Sequence, residues 1–141
     1  MTDVYKKEQF TIACSIIDRL PHAKALGLQL VDLDERSVTI VMPYHEKLIG
    51  DPVTRVVHGG AVSALMDTCC GTSVMMQTAA QKGTATLDLR IDYMRSATPG
   101  HAIKTRAECY HITRSVAFVR AVATDDDQDN PVAMAAGAFT I

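Results

Sequence analysis

The chain has 141 residues, 48% of them hydrophobic and 21% charged, with a formal net charge of −2. A chain of this length makes one domain, 1–141, able to bury about two-thirds of its unfolded surface. Mixed signs and the lack of any Lys/Arg run argue against nucleic acid or an anionic membrane as partner.

The first twenty residues, MTDVYKKEQFTIACSIIDRL, mix acids and bases and hold no apolar stretch leading to a small-residue cleavage site. They do not read as a secretory signal. Phe10, Ala13, Cys14, Ile17 and Leu20 recur at three- and four-residue spacing, which predicts an amphipathic helix over Val4–Leu20 closed by Pro21. The pattern then switches to period two in LGLQLVDLDERSVTIVMPYH. Leu28, Leu30 and Leu33 lead to a tight turn at Asp34–Arg36, and Val38, Ile40 and Met42 continue on one face, a hairpin ending at Pro43. HEKLIGDPVTRVV reads as a turn and loop, punctuated by Gly50 and Pro52.

A long helix is predicted from about Gly59 to Ala80, with Gly83 as its C-terminal breaker. It is apolar or small all round, so it has to be covered on every side. Four strands follow. TATLDLRIDYMRSA sets Leu87, Leu89, Ile91 and Tyr93 against charged neighbours, and HAIKTRAECYHIT does the same with Ile103, Thr105, Ala107 and Cys109. SVAFVRAVATD and PVAMAAGAFTI complete the set, separated by the polar turn DDDQDN. The predicted class is α+β: an antiparallel sheet with one wet face, wrapped around one long central helix, with a short N-terminal helix before it. One sheet leaves part of the central helix open, and a second copy of the chain is the simplest cover.

The run Gly59–Gln81 has about the length of a membrane span, but Asp67, Gln77 and several hydroxyl and glycine positions interrupt it. A buried helix fits better, and the expectation is a cytoplasmic protein with no membrane partner. Cys14, Cys69, Cys70 and Cys109 form no C-x-x-C pair and are expected as reduced core thiols. The five histidines make no H-x-x-x-H or H-E-x-x-H pair, so neither metal nor cofactor is expected. Lack of G-x-S-x-G and of G-x-x-x-x-G-K-[ST] removes the serine-hydrolase and P-loop readings.

Two features carry chemistry. His58-Gly59-Gly60 opens the central helix, where glycines let the backbone approach another molecule closely. The first N–H groups of a helix have no internal partner and suit a developing oxyanion, although the same glycines also fit tight helix–sheet packing alone. Asp67, nine residues after His58, is the only charged side chain from Gly59 to Gln81. A lone carboxylate in apolar surroundings costs several kcal/mol unless it is paired, neutralised or used. Its helical neighbours Ser63, Ala64, Cys70 and Gly71 are small and leave room beside it. Asp67 is therefore either satisfied by Ser63, Thr68 or a backbone donor across the sheet, or it is catalytic. Met66, Met75 and Met76 suit core filling or an acyl-chain channel.

The segment HGGAVSALMDTCCG, followed after a short gap by TATLDLRIDYMRSATPG, resembles the hotdog-fold acyl-CoA thioesterases of the PaaI (phenylacetate-pathway) type. The similarity runs from LGLQLVDLDERSVTIVMPYH to the closing PVAMAAGAFTI. It implies a hotdog fold, an acyl-CoA substrate, no cofactor, and a homodimer, or a tetramer built from dimers, with two sites at the interface. It implies that Gly59 offers its backbone N–H to the thioester carbonyl with Gly60 as its neighbour. It also implies that Asp67 of the opposite subunit is base or nucleophile, and that Thr86 helps place the water. His58 would shape the loop beside the substrate.

Members of the family commonly carry Asn shortly before H-G-G; this chain has IGDPVTRVVHGG, with Asp51 at the nearest matching place. An Asp has no amide N–H to donate, so Asp51 would orient a water or fix the loop. The expected reaction is hydrolysis of a small-to-medium or aryl acyl-CoA to free acid and CoA. Two readings compete with it. A hydratase or dehydratase acting on acyl thioesters would want a His on the helix, and a non-hydrolytic acyl-CoA binder is supported by the Asp51 departure. Acyl preference depends on which of Met66, Met75, Met76, Leu48 and Tyr93 reach the acyl group. Arg95 and Arg114 are two of fourteen bases that could meet the phosphates of CoA.

Overall fold

The computed structural model describes residues 1–77 and 83–141. Helix α1 spans Asp3–Asp18 and is capped by Thr2, whose hydroxyl accepts the Tyr5 N–H. It buries Ala13 and Ile17 and lays Phe10 against the core, as the spacing predicts. Leu20 departs from that pattern and is exposed. It precedes Pro21, and the proline ring excludes helical angles there, so Leu20 is extended (φ −92°, ψ 108°) and lies outside the helix. Pro21 itself opens a further short helix, α2 (Pro21–Ala25), which periodicity does not reveal.

The strands are β1 (Gln29–Leu33), β2 (Ser37–Met42), β3 (Thr86–Tyr93), β4 (Ile103–Ile112), β5 (Val116–Thr124) and β6 (Ala133–Thr140). They form one antiparallel sheet in the order β1-β2-β4-β5-β6-β3. The β1–β2 turn is held by Asp34, whose Oδ1 accepts the N–H groups of Arg36 and Ser37. A register slip between Leu30 and Asp32 turns Val31 outward and brings odd-numbered Leu33 into the core beside Val38, Ile40 and Met42. All four C-terminal strands form where alternation puts them. However, β3 crosses to pair with β6 rather than with the next strand, and so becomes a sheet edge. A second slip, between Thr86 and Asp88, leaves Leu87 exposed rather than beside Leu89 and Ile91.

Helix α3 (Gly59–Met75) packs on β2, β4 and β5 and buries Val62, Leu65, Met66, Cys69, Cys70 and Val74. Ala61, Ser63, Ala64, Asp67, Thr68 and Gly71 are only half-buried and mark the side that the sheet leaves open. The helix stops short of the expected Ala80. The Met76 N–H closes the last turn on Thr72 and Val74, and the Gln77 side-chain amide donates to the Ser73 carbonyl, which a continuing helix would give to a backbone N–H. Residues 78–80 of the expected helix lie outside the described residues. Gly83 has φ +98°, the left-handed conformation glycine favours, but it sits ahead of β3 and does not cap α3.

Among the described residues no helix is long and apolar enough to cross a membrane. All four cysteines are free, and burial pushes the Cys69 thiol up to about 12, so it stays protonated and donates to the carbonyls of Val38 and Thr105. Beyond β3, Arg95 grips Asp125 in a two-pronged ion pair of 2.6 and 2.8 Å, and the Asp125 carboxylate also accepts the N–H groups of Thr98 and Asp127. Arg95 thus anchors the DDDQDN turn and commits its guanidinium internally.

Candidate active site

The segment before α3 is pinned residue by residue. The His58 N–H donates to the Leu48 carbonyl and the Gly50 N–H to that of Val56, both at 2.8 Å. A Cβ on Gly50 would lie 2.8 Å from the His58 Cα, so only glycine fits against it. Arg55 is left-handed (φ 63°) and is held by three contacts: its N–H to Asp51, its carbonyl from the Tyr44 hydroxyl, and its guanidinium on Glu46. Asp51 gives both oxygens to this loop, Oδ1 accepting from the Val53 N–H at 2.9 Å and Oδ2 from the Thr54 hydroxyl at 2.8 Å. Those donors hold its carboxyl below the usual range.

His58 is the N-cap of α3, with extended angles (φ −60°, ψ 134°), and its Nδ1 accepts the Gly60 N–H at 2.8 Å. A Cβ at 60 would lie 2.8 Å from the His58 Nδ1, so a larger residue there forces the ring off its cap. The two glycines thus differ: the Gly60 N–H is occupied, while that of Gly59 meets no acceptor among the described residues. At the other end of the same peptide the Tyr93 hydroxyl donates to the Gly59 carbonyl at 3.0 Å. The chain Tyr93 OH, Gly59 carbonyl, Gly60 N–H, His58 Nδ1 fixes the plane of the first helical peptide. Of the five residues considered for the acyl group, Leu48 and Met66 are buried and Met75 and Met76 end the helix, whereas Tyr93 stands half-exposed beside Gly59. Its signal in the sequence is its place as the last residue of β3 on the face of Leu89 and Ile91; the bond to Gly59 has none.

Eight residues further along α3, the Asp67 Oδ1 accepts the Thr86 hydroxyl at 2.7 Å. Ser63, one of the candidates for satisfying it, turns instead to the Gly60 carbonyl. Among the described residues no cation pairs with Asp67 and its Oδ2 accepts no hydrogen bond. The structure therefore assembles two clusters: His58, Gly59, Gly60 and Tyr93 at one end of the open face of α3, Asp67 and Thr86 further along it. Eight residues of helix rise by about 12 Å. A carbonyl hydrogen-bonded to the Gly59 N–H would therefore lie beyond the reach of Asp67 of the same chain. Asp51 joins neither cluster. Among the described residues no three His, Cys, Asp or Glu side chains gather as metal ligands.

The family model of the thioesterase superfamily matches residues 55–132, which include both clusters. A Pseudomonas aeruginosa protein of known crystal structure is 41% identical, with 94% of this chain and 98% of that one covered and a TM-score of 0.85. A Halobacterium salinarum protein named as an esterase is 30% identical over 122 residues, 82% of this chain and 81% of its own. The PaaI protein of the E. coli phenylacetic acid degradation operon is 19% identical over 96% of this chain and 94% of its own; its TM-score of 0.84 speaks for the shared fold. The match covers more than half of the residues and the fold agrees throughout, so the chain belongs to the thioesterase superfamily: it is a thioester hydrolase built on the hotdog fold.

Proposed function

We propose that the chain hydrolyses acyl-CoA thioesters in a homodimer whose sites each combine Gly59 of one copy with Asp67 of the other. The observation that carries this reading is the Asp67 carboxylate, oriented through Oδ1 by Thr86 and, among the described residues, left with Oδ2 open on the uncovered face of α3. The second copy is supported by the edge strand β3, along which Leu87, Tyr93 and, just past its end, Met94 are exposed and a row of backbone groups has no neighbouring strand. Antiparallel pairing of two such edges would lay the two α3 helices side by side in opposite directions. Gly59 of one helix then faces Asp67 of the other.

In that arrangement the Gly59 N–H, reinforced by the helix dipole, polarises the thioester carbonyl. Asp67 takes a proton from water as the water oxygen bonds to the carbonyl carbon. The oxyanion so formed rests on Gly59, and its collapse breaks the C–S bond and returns the proton to the departing CoA thiolate. Direct attack by Asp67 gives the same products through an anhydride that water opens. Thr86 aims the carboxylate, His58 caps the helix rather than acting as base because its Nδ1 is occupied, and Asp51 fixes the preceding loop. A hydratase is disfavoured, since α3 itself carries no His beside Asp67.

The test is a thiol-release screen over short, medium, long and aryl acyl-CoAs. Turnover is expected, highest among the short-to-medium and aryl substrates. Tight binding without thiol release would instead mean a binding protein, and hydration of an enoyl-CoA would mean a hydratase.

A further inference from the structure

Thr86 reaches Asp67 because β3 is irregular. In the β3–β6 ladder Thr86 stands opposite Phe139, Asp88 opposite Ala138 and Leu89 opposite Gly137, so Leu87 is one residue too many. A regular ladder would put Leu87 opposite Phe139. That position faces α3: Phe139 is buried, and its ring lies against Gly71, one helical turn beyond Asp67. With the bulge, Leu87 is 58% exposed and a hydroxyl takes the place of an isobutyl group beside the carboxylate.

The bulge is held from both sides. On β6, a Cβ on Gly137 would run into the carbonyl oxygen of Asp88 and lie 3.0 Å from the Leu89 Cα. Ahead of the bulge, Thr140 accepts the Ala85 N–H through its hydroxyl at 2.9 Å and the Thr84 hydroxyl through its carbonyl at 2.6 Å, and its own N–H donates to the Ala85 carbonyl at 2.8 Å. We infer that Gly137 and the bulge at Leu87 form a positioning device for the reaction: the bare backbone at 137 admits the Asp88 carbonyl, Leu87 is turned away from α3, and Thr86 is set on Asp67. The inference rests on the reading of Asp67 as the catalytic acid. Gly137 touches no reacting atom and acts through Thr86 as a positioning residue.

Gly137→Ala is expected to lower kcat by the same factor as Thr86→Ala, roughly tenfold to hundredfold, as for loss of a hydrogen bond to a charged group. KM stays within about twofold, because the Gly59 end of the site is untouched. The double variant Gly137→Ala/Thr86→Ala is no slower than Thr86→Ala alone. Wild-type kcat in Gly137→Ala, or a loss that multiplies with that of Thr86→Ala, overturns the inference. If Gly137→Ala does not fold, the exchange Thr86→Leu/Leu87→Thr keeps the glycine and the composition. It is expected to be as slow as Thr86→Ala because position 87 faces away from Asp67, and wild-type kcat there overturns the inference equally. Full kcat in Asp67→Asn would sink the reading of the site instead. In that case a crystal structure of Gly137→Ala, or of the exchanged pair if the first does not fold, still decides the device, which predicts that the bond to Asp67 is lost.

Discussion

Asp67→Asn is expected to lower kcat on the best acyl-CoA by roughly 10³-fold, the usual worth of a positioned base, while KM and the fold hold. The substitution is nearly isosteric, and the new amide oxygen still accepts the Thr86 hydroxyl that meets the carboxylate at 2.7 Å. What it loses is the negative oxygen Oδ2, which has no partner among the described residues. Among the described residues no cation offsets Asp67, so its removal breaks none of their ion pairs, and the melting temperature should stay within a few degrees or rise. Kinetics on purified protein beside a thermal melt check both halves. A slow variant with a collapsed melt would assign Asp67 to structure, and a fast variant would remove it from the chemistry.

The largest effect on stability is expected from Asp125→Ala. The Asp125 side chain is fully buried and accepts from the Arg95 guanidinium and from the N–H groups of Thr98 and Asp127. Its removal strands a cation and two backbone donors, which for a buried pair costs about 3–5 kcal/mol. Arg95 is 27% exposed and can turn partly to water, which places the loss near the lower figure. A fall in Tm of about 10 °C follows for a chain of this size. Arg95 and its partners hold the Asp125 carboxyl far below the usual carboxylate range. A group depressed in this way stabilises the fold above its unfolded pKa, about 4, and that contribution is lost as pH falls further. The gap between wild type and variant, followed by melts across pH, should therefore be full at neutral pH and shrink as the solution is acidified. A gap independent of pH would contradict the role given to the pair.

Much of this was legible in the residues. Helix α1, the β1–β2 hairpin and the C-terminal strands announce themselves because their buried faces repeat at the period of the element. His58-Gly59-Gly60 and the solitary Asp67 stand out because glycine pairs and lone carboxylates are costly where they occur. Other features depend on contacts between distant residues. Alternation places Leu87 with Leu89 and cannot see the bulge, because the cause is the missing Cβ of Gly137 on another strand. The pairing of β3 with β6 is likewise a matter of which edge remains free. The HGG motif does not say which glycine N–H stays open; that depends on the rotamer of His58. Asp51 looked like a departure near the substrate, yet its carboxylate closes its own loop on Val53 and Thr54.

The central claim is that one site takes Gly59 from one chain and Asp67 from the other, and hybrid dimers test it most directly. Gly59→Pro removes the N–H at the first helical position, where proline is tolerated, and His58 already has the extended angles a residue before proline adopts. Each variant alone, Gly59→Pro or Asp67→Asn, should be nearly inactive. Purified hybrid dimers carrying one chain of each kind would hold one site lacking both groups and one site lacking neither. About half the wild-type turnover per dimer is expected from two independent sites; a hybrid as inactive as its parents would place both groups in the same chain's site and contradict the account.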